Sequence, residues 1–455
     1  MLYKQIYLSI QLERHIEMIL CGMSELIITP HLDSDIPGYY HARKGMNILD
    51  DLYAKAVVFD DGNNIVALVA VDLICVTVEQ TALIRSRAHH FTGIDMDRIA
   101  VSATHTITGG PNVEWSERIH ADQSYVDYFV SRAADAVTSA YNKRILCSLG
   151  FGYGRETQIS FNRRYLLTDG TVKTNPGAHR DRIVKPDGPI DPEIGIVRVD
   201  DVKGNPIGII TNFACHMDTV GGCAFSADYS GELSRQLKTR FGENIVSLFL
   251  LGACGDVNHV NFMVENNIRA EHHKWMGQVL AEDIGEIWKG INISSRHVIT
   301  AAYSRVLLNR RFPGAEEARD AERRLAEVVY DEKDLSAGDV RQVDRFYSQV
   351  ISEIAHDEKW KDRVSVEIQV FKIGDAVVFS LPGEYFAEFG IRLKSRSPYE
   401  FNIINTQANG NAGYIPTKRA LRMGGFEGRL CHWSNLEEDA EAAIEHAAVN
   451  LVGLL

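Results

Sequence analysis

Two histidines, a glutamate and a tyrosine occupy positions from which their side chains could bind a metal ion. His105 follows the apolar segment VSAT, His216 follows ITNFAC, and Glu384 follows VVFSLPG. Tyr414 lies in the glycine-containing segment NGNAGYIPT. Each stands where an apolar strand or a loop meets glycine, which is where α/β enzymes commonly present side chains to a crevice. Imidazole nitrogens and carboxylate oxygens are good zinc ligands, so these residues are candidates for a catalytic zinc site.

Taken one at a time, these residues have simpler explanations. A histidine after a strand can be a hydrogen-bonded residue at the edge of the core, and Glu384 can cap a helix that begins near Tyr385. A buried tyrosine is commonly a packing residue with a bonded hydroxyl. The sequence contains no HExxH or similar short zinc motif. From residue types and spacing alone, a metal site and a purely structural set of residues both stay open.

A second candidate site is the segment LGACGDVNHV, which follows the apolar run of residues 245–250. His259 is a candidate general acid or base because its ordinary pKa lies near neutrality, and the alternative is a structural histidine. The amide of Asn258 could hold the substrate or a water molecule. Asp256 more simply fixes the loop by accepting backbone N–H bonds. Asp228 could orient one of the ligand histidines or cap the helix that is predicted near Tyr229.

Several of these segments, in order, resemble the N-terminal catalytic domain of the neutral/alkaline non-lysosomal ceramidase family. The similar segments are THTITGGP, NFACHMDTV with SADYSG, GACGDVN, LPGE and GYIPT, preceded by GYYHARKGMNILDDLYAKAVVFDDG. The resemblance covers about residues 27–414. It implies an α/β fold of mixed β-sheets with flanking helices. It also implies one zinc ion, or another divalent metal in its place, held by His105, His216, Glu384 and Tyr414.

Two positions depart from the pattern of that family. Ile107 stands where the family has a second histidine in its HTHSGP segment, which removes a proton-handling group beside the metal. Asn258 stands where the family has the serine that is assigned the role of nucleophile. Because an amide cannot be deprotonated to attack an acyl carbon, the serine-dependent mechanism does not carry over. We therefore expect a divergent homologue that does not hydrolyse ceramide.

Strands, loops and helices alternate along the chain, which independently favours an α/β fold. Residues 158–189 are rich in Gly, Pro, Asn and Arg and are predicted to form a long surface loop. Asn162, Arg163 and Arg164 lie in it and are candidate substrate-binding residues, because guanidinium groups clamp carboxylates and phosphates. The alternative for the arginines is a solvated turn or an internal salt bridge.

The domain organisation follows from the same patterns. Residues 314–360 carry dense charge of alternating sign and are predicted to form a solvated helical hairpin without chemistry. We expect residues 1–22 to be an N-terminal extension. Residues 23–455 are predicted to form a single ceramidase-like catalytic domain that contains the hairpin.

Composition and charge narrow the choice of partners. The chain has 455 residues, of which 45% are hydrophobic, so it can bury a large core. The formal net charge of -13 disfavours nucleic acid and anionic membranes, and no apolar stretch is long enough to span a membrane. Seven cysteines without a CxxC pair favour free thiols in a reducing compartment, so we expect a cytoplasmic location. The expected partner is a small molecule, and a homo-oligomer stays open.

The preferred hypothesis is a zinc-dependent hydrolase that cleaves an amide or ester bond in a small polar substrate. Anionic and sugar-like substrates both stay open. Metal-activated water would be the nucleophile, with Asn258 and His259 as catalytic residues. The first alternative is a metal-dependent lyase or isomerase that acts on a sugar or sugar acid. The second alternative is a non-catalytic homologue that binds a ligand.

Overall fold

The computed structural model describes residues 18–116 and 118–455. The strands of this part of the chain are β1 (Leu20–Ile27), β2 (Asn47–Ile48), β3 (Tyr53–Asp60), β4 (Ile65–Val71), β5 (Ile99–Ala103), β6 (Ile145–Arg155), β7 (Phe161–Asn162), β8 (Arg164–Leu167), β9 (Val172–Thr174), β10 (Ile183–Pro186), β11 (Glu193–Asp201), β12 (Pro206–Phe213), β13 (Ala224–Phe225), β14 (Val246–Leu251), β15 (Val257–Asn258), β16 (Ile293–Ser294), β17 (Ile299–Leu308), β18 (Val364–Ile373), β19 (Ala376–Ser380), β20 (Glu384–Tyr385), β21 (Phe401–Asn405) and β22 (Tyr414–Ile415).

The α-helices of the same residues are α1 (Val78–Thr92), α2 (Gln123–Asn142), α3 (Asp228–Phe241), α4 (His272–Lys289), α5 (Ala315–Glu327), α6 (Glu332–Ser336), α7 (Val340–His356), α8 (Ala387–Arg396), α9 (Lys418–Met423) and α10 (Ala440–Val452). Short 3-10 helices cover Met96–Arg98, Gly177–Arg182, Glu358–Lys361 and Phe426–Gly428. Of the extension predicted at residues 1–22, residues 1–17 lie outside the described part, and β1 begins at Leu20.

The longest sheet of the described chain has nine strands and folds over on itself. Its order is β14-β12-β11-β6-β1-β3-β4-β5, with β16 beside β6. The two halves join between β1 and β6 through the pairs Leu20 with Leu146 and Cys21 with Ile145. Strand β14 of one half contacts β3, β4 and β5 of the other half. The two halves therefore face each other across a shared apolar layer.

A four-stranded sheet of order β17-β18-β19-β21 packs against the same layer. The buried cluster includes Phe59 of β3, Leu248 of β14 and Phe371 of β18, so all three surfaces meet there. Helices cover the outer faces: α1 and α2 pack on β3 and β4, α3 and α4 on β12 and β14, and α8 and α10 on the four-stranded sheet. Because they are covered on both faces, β3 and β14 are buried along nearly their whole length. The predicted α/β class with mixed sheets and flanking helices is confirmed.

Three parallel strand pairs bring their carboxyl ends to one end of the molecule. The pairs are β4 with β5, β12 with β14 and β19 with β21. Backbone hydrogen bonds join the three regions at this end: Ala103 N–H donates to the Gln407 carbonyl at 3.1 Å, and Thr406 N–H donates to the Leu251 carbonyl at 2.8 Å. The loops that follow β5, β12, β14, β19 and β21 therefore meet, as expected for a site at the carboxyl ends of strands.

Two segments differ in detail from their predicted form. The prediction of a long surface loop at residues 158–189 is wrong, because β8, β9 and β10 form a three-stranded sheet there and β7 pairs with β15. The turn-forming residues of this segment belong to the short connections between those strands. In the helical segment predicted at residues 314–360, α5 packs against α7, and α6 connects them. None of the described helices combines the length and the apolar character needed to cross a membrane.

Candidate metal centre

Three buried side chains from three separate regions converge at the carboxyl ends of the strands. Nε2 of His105 lies 3.2 Å from Oε2 of Glu384, and Nε2 of His216 lies 3.1 Å from the same oxygen. The potential ligand atoms of the three residues all lie within 4.8 Å of one another. The hydroxyl of Tyr414 lies 3.3 Å from Nε2 of His216. The structure thus brings together all four residues that were predicted as metal ligands.

Backbone carbonyls orient both histidine rings. Nδ1 of His105 lies 2.6 Å from the carbonyl oxygen of Ile74, and Nδ1 of His216 lies 2.7 Å from that of Cys254. Because a carbonyl oxygen can only accept, we assign the ring hydrogen to Nδ1 in both residues. Nε2 then presents its lone pair to the centre, which is the tautomer that a metal ligand requires.

The donor set fits a cation. Oε2 of Glu384 is buried and has no hydrogen-bond partner among the described residues, although two ring nitrogens lie beside it. Two imidazole lone pairs and a carboxylate repel one another unless a positive charge lies between them. Nitrogen and oxygen ligands in this number are typical of zinc. The residues present therefore fit a divalent ion.

The charges at the centre are strongly coupled. Burial raises the pKa of Glu384, but the two histidines outweigh burial and hold this pKa well below its usual range. Burial lowers the pKa of His105, but the charge of Glu384 outweighs it and raises this pKa. Burial and the charge of Arg163 lower the pKa of His216. A second proton on the His105 ring and a metal ion would compete for Nε2, so metal binding should release protons.

Local backbone geometry holds the ligands in place. His105 has φ of 68°, a left-handed conformation that is uncommon for a residue other than glycine. Glu384 pairs with Tyr414 through the parallel strands β20 and β22, so one ladder sets the positions of both. Gly413, with φ of 69°, precedes Tyr414, and a Cβ there would lie 2.3 Å from the carbonyl oxygen of Trp433. Glycine is therefore required for this approach.

A buried ion network supports Tyr414. The guanidinium of Arg163 donates to the Tyr414 hydroxyl at 3.0 Å and to the Gly255 carbonyl at 2.7 Å. Glu427, which is fully buried, accepts from Arg163 at 2.9 Å and from Arg164 at 2.8 Å. Burial raises the pKa of Tyr414, and the charge of Arg163 acts against that effect. Glu427 thus holds Arg163 in place against the Tyr414 hydroxyl.

Asp218 and His259 form a second polar pair beside the centre. Nδ1 of His259 lies 2.9 Å from Oδ1 of Asp218. Burial raises the pKa of Asp218, but the charge of His259 outweighs burial and holds this pKa well below its usual range. Burial lowers the pKa of His259, whereas Asp218 raises it, and the net shift is upwards. Asp218 is therefore held as a carboxylate.

A cavity of about 310 Å³ opens above the ligands, and we call it the metal cavity. All four predicted ligands line it, together with Arg163 and Asp218. Ile107 also lines it, so an apolar side chain faces the site at that position. The remaining wall comes from the segment 38–41, from Ile74, from the end of α6 and the residues after it, and from the aromatic residues Trp115, Phe426 and Trp433.

The other predicted site residues have different surroundings. Among the described residues, the lining of the metal cavity does not include Asn258, His259, Asn162 or Arg164. The amide of Asn258 donates to Asn175 at 3.1 Å, and His259 reaches the cavity only through its contact with Asp218.

Asn162 and Asp256 contact each other instead of the cavity. The amide of Asn162 donates to Asp256 at 2.7 Å, and the other carboxylate oxygen of Asp256 accepts from the Ala387 N–H at 2.8 Å. Arg164 is enclosed by Glu427 and Asp187.

Asp228 holds the loop that follows His216. Its carboxylate accepts the backbone N–H groups of Thr219 and Val220, both at 2.9 Å. It also accepts the N–H of Tyr229 at 2.6 Å. The described contacts of Asp228 include neither ligand histidine, whose Nδ1 atoms bond to backbone carbonyls.

Sequence reasoning missed several residues of the site. Asp218 lies inside the segment NFACHMDTV, so its type and its position beside His216 were an available signal. Glu427 and Trp433 lie in GGFEGRLCHWSN, where no spacing or motif singles them out. Leu335 and Gly338 belong to the helical segment to which no chemistry was assigned. Only the folded chain brings these residues to the site.

Comparisons with known proteins agree with the geometry at the level of the fold. No protein-family profile and no curated protein sequence matches the chain. A neutral ceramidase structure from Pseudomonas aeruginosa matches with a TM-score of 0.73 at 16% identity, covering 96% of this chain and 74% of that one. A structure described as a ceramidase complexed with C2 matches with a TM-score of 0.70 at 16% identity, covering 96% and 75%. The chain therefore has the neutral ceramidase fold, as the resemblance of its motifs implies.

Proposed function

We propose that this protein is a metal-dependent hydrolase that cleaves an amide or ester bond in a small polar substrate. The observation that supports this most directly is the convergence of His105, His216 and Glu384 on one point at the base of a cavity. The carboxylate oxygen without a hydrogen-bond partner at that point favours a cation there. The two structures that share the fold are named ceramidases, which supports hydrolysis as the reaction class.

His105, His216, Glu384 and Tyr414 would hold the metal, with zinc as the preferred ion for this ligand set. When bound, a divalent ion of this kind polarises a carbonyl group and lowers the pKa of a water molecule. Arg163 supports the site by keeping a positive charge 3.0 Å from the Tyr414 hydroxyl. Its position in the cavity wall also allows it to stabilise negative charge that develops on the substrate.

Asp218 is the candidate for proton transfer, because it lines the cavity and is held as a carboxylate. In the proposed reaction the oxygen of water forms a bond to the acyl carbon, and the bond from that carbon to nitrogen or oxygen breaks. Asp218 and its hydrogen-bonded partner His259, whose pKa is raised, together accept a proton from the water and pass it to the leaving atom. His259 acts through Asp218 by orienting its carboxylate. Asn258 contacts Asn175 and takes no direct part in this step.

Two features bear on whether the substrate is a small polar molecule or ceramide. Arg163 and Asp218 place charges of both signs in a lining that is otherwise mostly aromatic and aliphatic, and an apolar chain would form no hydrogen bond with either of them. Asn258 in place of serine also removes the nucleophile on which an acyl-enzyme route would depend. Direct attack by water requires no such residue.

The test measures turnover of small N-acyl and O-acyl compounds, such as N-acetylated amino sugars and N-acyl amino acids, with metal content determined in parallel. Loss of a residue that supports a metal ligand typically lowers metal affinity or activity by about 10–100-fold. Because Glu384 would itself be a ligand, Glu384→Gln should lower metal affinity and turnover by more than that. Glu388→Gln, an exposed position on α8, is the matched control and should leave both unchanged.

Three outcomes would contradict the proposal. An unsaturated product without incorporation of oxygen from isotopically labelled water would indicate a lyase. Full turnover in a Glu384→Gln protein that has lost its metal would exclude the metal from the reaction. Metal binding without turnover of any acyl compound, but with retained ligand affinity in His105→Ala, would indicate a non-catalytic binding protein.

A further inference from the structure

A second cavity of about 440 Å³ adjoins the metal cavity, and we call it the outer cavity. The two cavities share Tyr40, Trp115 and Leu335 as lining residues. A ligand that enters the metal cavity therefore has a neighbouring space of the size of a small-molecule site. The proposed chemistry makes no use of this space.

Aromatic rings form the boundary between the cavities. Trp115 stacks on Trp433 with a centroid distance of 5.5 Å and an interplanar angle of 6°. Tyr40 contacts Phe346 at 5.1 Å and Trp433 at 6.4 Å. Trp433 is 8% exposed, and its Nε1 has no hydrogen-bond partner among the described residues. A buried donor without a partner is uncommon.

Polar and charged side chains surround the outer cavity. The guanidinium of Arg118 lies 4.1 Å from the centre of the Tyr330 ring, and that of Arg345 lies 5.6 Å from the same ring. On α7, the amide of Gln349 donates to Glu353 at 2.9 Å. All five residues line the outer cavity. It therefore combines flat aromatic surfaces with donors and acceptors of both charge signs.

This combination matches the chemistry of a sugar ring. A pyranose ring has faces of C–H groups that pack on aromatic rings and a rim of hydroxyls that bond to planar polar side chains. An acyl chain would use only the apolar surfaces of this cavity and would form no hydrogen bond with Arg118, Arg345 or Glu353. A purely ionic ligand would leave the aromatic boundary unused. The polar rim and the aromatic faces together favour a carbohydrate.

We propose that the outer cavity binds a sugar ring, so that the substrate of the metal centre is an acylated saccharide that extends over both cavities. The acyl group would lie at the metal ligands, and a further ring of the same molecule would lie between Trp115 and α7. This inference rests on the proposed hydrolase function for the identity of the scissile group. The binding of a sugar in the outer cavity can be measured independently of turnover.

The test is ligand-observed NMR with a panel of neutral, N-acetylated and uronic acid-containing disaccharides and trisaccharides, and with a medium-chain fatty acid. At least one class of saccharide should bind the wild-type protein. Trp115→Ala should weaken this binding about tenfold or more, as loss of a central aromatic anchor does. Gln349→Trp should block binding by filling the cavity, without removing a contact of the aromatic boundary.

Arg341→Ala is the matched control, since this arginine lies on α7 with its side chain 76% exposed and is not a lining residue of the outer cavity. Circular dichroism would check that each variant folds. If Trp115→Ala does not fold, Gln349→Trp still tests the inference. Absence of binding across the panel would overturn the inference. Equal binding in wild type and Gln349→Trp, or displacement of the saccharide by the fatty acid at that cavity, would also overturn it.

The same variants separate this inference from the proposed function. If Glu384→Gln loses metal and turnover but keeps saccharide binding, both proposals are supported. If the wild-type protein binds saccharides in the outer cavity but shows no hydrolysis, the proposed function fails and the sugar site stands. If the protein hydrolyses acyl compounds but Trp115→Ala and Gln349→Trp act like Arg341→Ala, the sugar site fails and the hydrolase stands.

Discussion

Replacement of Glu427 by glutamine should damage both the fold and the metal centre. Glu427 is fully buried and accepts from Arg163 at 2.9 Å, from Arg164 at 2.8 Å and from Thr174 at 2.8 Å. Glutamine keeps the size of the side chain but removes its charge. Arg164 retains Asp187 at 3.2 Å, whereas Arg163 loses its nearest carboxylate.

The magnitude follows from the burial of these charges. Loss of one partner from a buried ion pair typically costs about 3–5 kcal/mol, because the remaining charge is left without compensation. Since Asp187 still pairs with Arg164, we expect a value near the lower end, about 3 kcal/mol. Arg163 would also hold the Tyr414 hydroxyl less firmly. Metal affinity should therefore fall by about 10–100-fold, as it does when a residue that supports a ligand is lost.

Urea unfolding of the metal-free protein and metal titration of the native protein measure the two effects separately. Glu438→Gln is the matched control, because Glu438 makes its ion pairs with Lys418 and Arg422 at the surface, where its side chain is 45% exposed. This control should change neither quantity measurably. A Glu427→Gln protein as stable as the control would refute the assigned cost of the buried charges. Unchanged metal affinity would show that Arg163 does not support Tyr414.

Three further predictions concern a glycine, a buried acid and a histidine. Gly413→Ala should destabilise the protein and weaken metal binding, because its Cβ would lie 2.3 Å from a carbonyl oxygen. The control is Gly204→Ala, at a glycine with a similar positive φ but with no atom within 4 Å of the added Cβ. In the same unfolding and titration experiments this control should show only the cost of backbone strain. Burial raises the pKa of Asp256 from 3.8 to about 7. Between these two pH values the folded protein keeps a proton that the unfolded chain has released, so the free energy of unfolding falls as pH rises from 3.8 to about 7. Unfolding of Asp256→Asn below and above the window should lack this loss, and an unchanged pH slope would contradict the shift. Since the charge of His259 lowers the pKa of Asp218 against the effect of burial, His259→Gln should move the acidic limb of kcat/KM to higher pH; an unmoved limb would remove Asp218 from the proton transfer.

The predictable features of the site were those that local sequence carries. His105, His216, Glu384 and Tyr414 each follow a strand or stand beside a glycine, so residue type and context singled them out one by one. Their mutual distances depend on the parallel pairs β4 with β5, β12 with β14 and β19 with β21, whose partners are far apart in the chain. Neither the spacing nor the composition of the sequence specifies that pairing.

The arginines illustrate where composition misleads. Residues 162–164 lie in a segment rich in turn-forming residues, and that composition predicted an exposed loop. The pairing of β7 with β15 and of β8 with β9 and β10 buries both arginines against Glu427, a residue from the far end of the chain. A salt bridge formed across such a separation leaves no local pattern. Consequently Arg163 reaches the metal cavity, whereas Arg164 is enclosed in the ion network.

The sequence by itself determined the α/β class, the types and order of the candidate ligands, and the absence of a serine at Asn258. These properties depend on local periodicity and on the identity of single residues. The tertiary structure alone decided that Asp218 rather than Asn258 lines the metal cavity, that α6 lines both cavities, and that α7 lines the outer cavity. The physical reason is that a cavity is formed by side chains from distant segments, and their approach depends on packing of whole sheets and helices.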